Sequence, residues 1–595
     1  MTFSLSRSAG RLGTILSAAL FLATTVPARQ TPVFHTQTDL VQIPVTVTNA
    51  DGEFLRGLKR DDFLCTVDGK PVVIRNLDVV RAPSSLPPLT ETGPNVYSNQ
   101  LAARPAQRLV LLIDYDHTPL TDLPNLRLQL KKWFKQPLPP GLEVAVFALN
   151  GGIEVLQPFT HDVKLLDAAV DGMVAFHAHG EAAASLRYDL QLLDAFEAAR
   201  SDPTQGPGGL NDPSTSGTTD DRDTSKAATL GSSDIETGPG GNSGNRGWRD
   251  EQNSMMQDQY RDTMQALLQL AGLLEGVPGR KPVIWLTTQT SLEVAWNPDE
   301  AISSDARDIA FARLNEANIA LFPLDVDGLT MGPFMTDAAK QKLAPRNATD
   351  GRVFTEIGID AAAAWTGGRP FLNTNGFTNV FDKVVELNSE SYVLSFAPPP
   401  ALKGHPYRQV QVKLAHQPHG VELMYRRQYL QPELALAERR LKGNMLQQIR
   451  RAALTPMELG GVLVAAHVVP HPPDKRTQKG GKSVDFALLV PYTEVLHDHV
   501  DGGDTAGFDF TCFRVLVPMD DPGQVQILKP WRFRQQMTES NAEHWRQQAA
   551  VYHSRIDAPP GHLYLARLIV LDNLTGKMGT TSFRMDTRKS AKGKW

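Results

Sequence analysis

From Leu40 onward, apolar and polar positions alternate: Val41, Ile43, Val45 and Val47 interleave with Gln42, Pro44, Thr46 and Thr48. A period of two places one set on each face of a strand, so a half-buried strand is predicted here. Asn49-Ala50-Asp51-Gly52 reads as a turn, and the stretch 66–74 predicts a hairpin around Asp68-Gly69. Residues 33–82 are therefore expected to form a small β domain. The Pro-, Ser- and Asn-rich stretch 83–105 reads as a linker.

The pattern then changes. Leu109-Val110-Leu111-Leu112-Ile113 is a continuous apolar run, as expected for a strand covered on both faces in a parallel sheet. A helix-prone stretch (125–135), the run 143–149, and the buried runs at 282–287 and 319–324 follow. Alternating strands and helices predict an α/β fold over 106–398: a mostly parallel, Rossmann-like sheet with helices on both faces and a ligand site at the carboxyl ends of its strands. Residues 201–250 interrupt it with ten glycines against four large apolar residues (Leu210, Leu230, Ile235, Trp248). Such a segment buries too little surface to offset its ordering entropy, and it reads as a disordered insertion. Terminal strands are expected over 405–430, a helical connector over 431–456, and a C-terminal β-sandwich over 460–587.

Length fits this division, since 595 residues exceed one ordinary domain. The 60 basic and 65 acidic residues leave a formal charge of −5, so nucleic acid is not an expected partner. Cys65 and Cys512 are too few for a disulfide framework or a thiolate zinc cluster, and they read as small buried apolar residues. At the N-terminus, Arg7 and Arg11 precede the uncharged, mostly apolar run Leu12 to Thr25 and the small-residue site Val26-Pro27-Ala28. This reads as a signal peptide over 1–28, removed on export to the periplasm or beyond. No later stretch is apolar enough for a transmembrane helix.

The best-placed polar group is Asp114-Tyr115-Asp116-His117-Thr118, directly after the first buried run. Two carboxylates two residues apart, with a hydroxyl two further on, can converge on one hard cation when the loop curls. The same residues can instead serve phosphoryl transfer, with Asp114 as nucleophile and Asp116 as general acid. His177-x-His179 and the acids Asp498, Asp501, Asp504 and Asp509 are weaker: a polar loop and a hairpin turn explain them better. Arg426-Arg427 reads as an exposed strand end.

The order of these segments resembles the von Willebrand factor type A domain, and more closely the related exported proteins of Acidobacteria. The resemblance covers most of residues 35–430, including 141–162, 317–328, Thr366-Gly367-Gly368, 391–397 and 424–429. It implies a metal-ion-dependent adhesion site in which Asp114, Asp116 and Thr118 hold Mg²⁺ or another divalent cation. The match is divergent: Asp116 stands where the family has Ser, and the later Asp is missing because the strand at 282–287 runs into Thr287-Thr288-Gln289.

The haloacid-dehalogenase pattern Asp-x-Asp-x-Thr also fits 114–118, but its late acidic motif would fall in the all-β region and cannot cap the same sheet. No His-Glu-x-x-His, Gly-x-Ser-x-Gly or phosphate-cradling Gly-x-x-x-x-Gly-Lys occurs. The expected function is thus non-enzymatic: an exported binding or adhesion protein that engages a protein partner, with a phosphohydrolase or a purely structural envelope protein as alternatives.

Overall fold

The computed structural model describes residues 40–588 apart from 84–94, 100–105, 119–121, 173–261, 288–300, 327–358, 372–373, 375, 401–406, 417, 431–444, 473–479, 499, 501–504 and 522–523. The leader, the insertion at 201–250, His177 and His179 lie outside the described residues.

The four apolar runs become buried neighbours in one five-stranded sheet. Its strands are β1 (Gln107–Asp114), β2 (Leu142–Leu149), β3 (Ile153–Thr160), β4 (Lys281–Thr287) and β5 (Ile319–Asp325). The order is β5-β4-β1-β2-β3; the first four run parallel and β3 pairs antiparallel with β2. Alternation along β1 divides its side chains between two cores. Leu109, Leu111 and Ile113 pack with α1 (Leu123–Phe134), α2 (Val163–Asp171) and, later in the chain, Phe377–Leu387. Val110 and Leu112 face the helix over 262–274, the helix Ala301–Glu316 and the helix Met445–Leu454. That second core continues into Phe513, Val515 and Ile569 of the C-terminal region, so no solvent layer divides the two regions there.

The expectation of a fold organised around a helix-flanked Rossmann-like sheet of von Willebrand factor A type is overturned. Among the described residues strand outweighs helix about twofold, most sheets are antiparallel, and the one sheet with parallel strand pairs is itself mixed. The physical reason is that long apolar runs dominate a reading by periodicity, while short alternating strands carry little signal individually. Their partners also lie hundreds of residues away. Val41–Thr48 pairs with Glu390–Phe396 and Glu422–Tyr425, and Phe63–Val67 pairs with Tyr407–Leu414. Residues 33–82 and 405–430 therefore share sheets where they are described, around a core of Ile43, Val45, Phe63, Cys65, Tyr392 and Val412. The Asp68-Gly69 turn has positive φ at both positions (48° and 76°), as a two-residue hairpin requires.

In the C-terminal region two antiparallel sheets share one core, including Phe486, Phe510, Cys512, Leu568 and Phe583. Val96–Ser98, inside the stretch read as linker, adds an edge strand there by pairing with Ala465–His467. Asn99 fixes that strand: its amide donates to Leu459 O (2.6 Å) and Val462 O (2.7 Å), and its carbonyl accepts from Val464 N (2.9 Å). Cys65 and Cys512 are free thiols in separate cores, and burial pushes both up to about 12. Among the described residues no helix is long and apolar enough to cross a membrane.

Thr366-Gly367-Gly368 joins the mixed sheet to the N-terminal sheets. Thr366 Oγ1 accepts from Leu321 N (2.9 Å) and donates to Ala362 O (2.8 Å). Gly367 has φ +77°, and a Cβ there would stand 2.7 Å from Arg426 N; a Cβ on Gly368 would stand 1.7 Å from Leu321 O. Backbone meets backbone at both positions, so no side-chain motion relieves the clash. Gly368→Ala should therefore destabilise the protein by about 3 kcal/mol or more. Gly172→Ala, whose Cβ meets nothing within 4 Å, should be near neutral. Urea unfolding followed by tryptophan fluorescence measures both, and equal midpoints would refute the assignment.

Candidate functional site

The parity of β1 places Asp114 at the strand's carboxyl end on the face of Val110 and Leu112, toward Trp285 of β4. The residue is 0% exposed. An indole N–H in a core needs an acceptor, and Trp285 Nε1 donates to Asp114 Oδ2 at 2.9 Å. Thr287 Oγ1, at the end of the same strand, donates to that oxygen at 2.7 Å. The chain after β1 then turns back on itself. His117 N donates to Asp114 Oδ1 (3.0 Å), and His117 Nδ1 lies 2.8 and 2.9 Å from the two carboxylate oxygens. The other ring nitrogen, Nε2, lies 3.2 Å from Thr263 Oγ1 on the helix over 262–274. One buried carboxylate thus ties together β1, β4, the following turn and, through His117, a helix.

Asp116 points elsewhere. It is exposed, and both of its oxygens accept from Gly151 N (3.0 and 2.9 Å) in the β2–β3 turn. Partial desolvation by the surrounding chain, with repulsion from Asp114 and Asp262, holds its carboxyl above the usual range, and the Gly151 bond offsets this in part. The same turn receives Arg451 Nη2 on Gly151 O (3.2 Å). Thr118 is buried, and its Oγ1 has no hydrogen-bond partner among the described residues.

The three residues singled out for a cation therefore face different partners. A carboxylate offers about four lone-pair positions, and those of Asp114 meet His117 N–H, the His117 ring, Trp285 and Thr287. A cation at Asp114 would have to displace buried donors, so this arrangement does not fit a divalent ion. Only the unpartnered hydroxyl of Thr118 has the character of a waiting ligand. Among the described residues no group of three or more His, Cys, Asp or Glu is placed to share a metal ion. The late acids are also engaged, Asp498 by Arg546 and Asp509 by Arg532 Nε (2.8 Å) and Asn573 Nδ2 (2.8 Å). Asp501 and Asp504 lie outside the described residues.

Sequence reasoning missed His117, Trp285 and Thr287 as partners of Asp114, and Thr263 as the partner of His117. The available signal was His117 three residues after an acidic strand end, the spacing of a side-chain-capped turn. Arg426 was also misjudged: it is half-buried and donates through Nη1 to Asn315 O (2.8 Å) and through Nη2 to Gln42 O (2.6 Å). No family model matches the chain, and no curated protein matches it.

Burial alone would lower the His117 pKa, but the hydrogen bond and charge of Asp114, with the charge of Asp116, hold it above its ordinary 6.5. The folded value exceeds the unfolded one, so this stabilisation is complete below the unfolded pKa of about 6.5 and disappears as pH rises through the folded value. An NMR titration should place His117 above 6.5, and Asp114→Asn should move it below, because burial then acts nearly alone. A value at or below 6.5 in the wild type would refute the coupling. Trp285→Phe should cost about 1–3 kcal/mol in urea unfolding, the penalty for taking a donor from a buried acceptor; a neutral result would remove the indole from the network.

Proposed function

We propose that this chain is an exported binding protein that engages a protein partner at the carboxyl edge of the mixed sheet, without a bridging cation. The supporting observation is the division of labour between the acids at and just after the end of β1: Asp114 is spent inside the protein, while Asp116 is exposed and fixed by the Gly151 N–H, which its two oxygens share. Asp262 lies close enough to repel it and is itself exposed. A held, partly dehydrated carboxylate beside another acid favours a Lys or Arg of the partner, since charge complementarity confers orientation and on-rate. From the von Willebrand factor A resemblance this reading keeps only the location, the turn after the first buried strand.

The phosphohydrolase alternative requires an Asp114 oxygen open to attack, whereas both oxygens are buried and accept hydrogen bonds. A purely structural envelope role predicts no specific capture at this edge.

A fluorescent ten-residue lysine peptide tests the proposal by anisotropy on the full chain. Binding should weaken about three- to tenfold in the Asp116→Asn/Asp262→Asn variant and weaken with added salt. It should be unchanged by Asp51→Asn, an exposed acid at a distant turn. Equal loss in both variants would indicate net-charge attraction only, and loss on chelation would restore a cation bridge; either result contradicts the proposal.

A further inference from the structure

At the opposite end of the mixed sheet, where the N-terminal strands cross it, two arginines line one small pocket together with Asn315, Asn318 and Thr366. Arg280 immediately precedes β4; its Nη1 donates to Thr46 Oγ1 (2.9 Å) and its Nη2 to Gly367 O. Arg426 follows the strand Glu422–Tyr425 and spends both terminal nitrogens on backbone carbonyls, while its Nε is buried with no partner among the described residues. Neither guanidinium forms an ion pair with a described carboxylate. The carboxylate whose charge acts on Arg426 is Glu316, which is paired with Arg313 at 3.2 Å. Among the described residues, the hydrogen bonds from these two cations go to neutral oxygens.

We propose that this pocket binds one monatomic anion of the halide class, held between Arg280 and Arg426 at the joint of the two sheet systems. Three observations support this. Both arginines line one space without a described counter-charge, the Arg426 Nε–H is buried without an acceptor among the described residues, and the space has room for a water-sized group. With the terminal nitrogens of both arginines already donating to protein oxygens, few donors remain for the several oxygens of a polyatomic oxyanion. Burial holds both guanidinium groups down to about 10, so both remain charged at neutral pH and an anion beside them would offset the cost of burying that charge. The competing occupant is a water, because Asn315, another lining residue, has an Oδ1 that lacks a donor among the described residues.

Crystals of the full chain grown in bromide separate the two. The proposal expects an anomalous bromine peak between Arg280 and Arg426, whereas density without anomalous signal at saturating bromide means water and overturns it. In solution, replacing gluconate by chloride at constant ionic strength should raise the thermal midpoint saturably, by about 2 °C or more. Arg280→Gln should abolish that response. A chloride response undiminished in Arg280→Gln would place the anion elsewhere. Should that variant not fold, the bromide result on the wild type decides alone.

Discussion

A single buried carboxylate governs the region from which function was expected. Asp114 sits at the end of a strand with no exposed surface, and an isolated charge there would be prohibitively costly. The protein surrounds it with an indole N–H and a threonine hydroxyl from β4 and a backbone amide and an imidazole from the turn after β1. Because the carboxylate is satisfied only when all of these arrive together, it fixes the strand end, the turn conformation and the position of Asp116. The exposed acid is held in place because the hidden one is anchored. The proposed binding role falls to the outer residue, and the inner one supplies rigidity.

The same logic of unlike segments fixed by buried polar groups recurs elsewhere. Asn99 ties a short edge strand to the C-terminal sheets through three hydrogen bonds. Arg567, fully buried, donates to Ala452 O (3.0 Å) and to Thr455 O, satisfying the carbonyls at the end of the helix Met445–Leu454 from across the shared core. Thr366-Gly367-Gly368 needs its glycines because two strands from distant parts of the chain leave no room for a Cβ. Hydrophobic area assembles these sheets, while specific polar contacts set how they meet.

The buried runs were legible because each is long and uniformly apolar: β1, β2, β4 and β5 all fall where the sequence placed apolar strands. The turn at Asp68-Gly69 was legible because two positive-φ positions demand that kind of dipeptide. The global architecture was not, because a pairing such as Val41 with Phe396 leaves no local trace in either segment. At the site, the sequence located Asp114 correctly at the end of a strand, yet its parity and its neighbours decided its role. Nothing near Asp114 in sequence announces that Trp285 and Thr287 will spend its lone pairs. Arg426 was misread for a similar reason, since its acceptors, Asn315 O and Gln42 O, come from distant segments.

The most direct measurement is paramagnetic broadening of the His117 ring resonances by Mn²⁺ in the wild-type chain at neutral pH. With Asp114 already saturated by protein donors, one equivalent of Mn²⁺ should leave those resonances as sharp as the other histidine signals. Selective, saturable broadening of His117 at one equivalent would place a cation beside Asp114 and contradict the account.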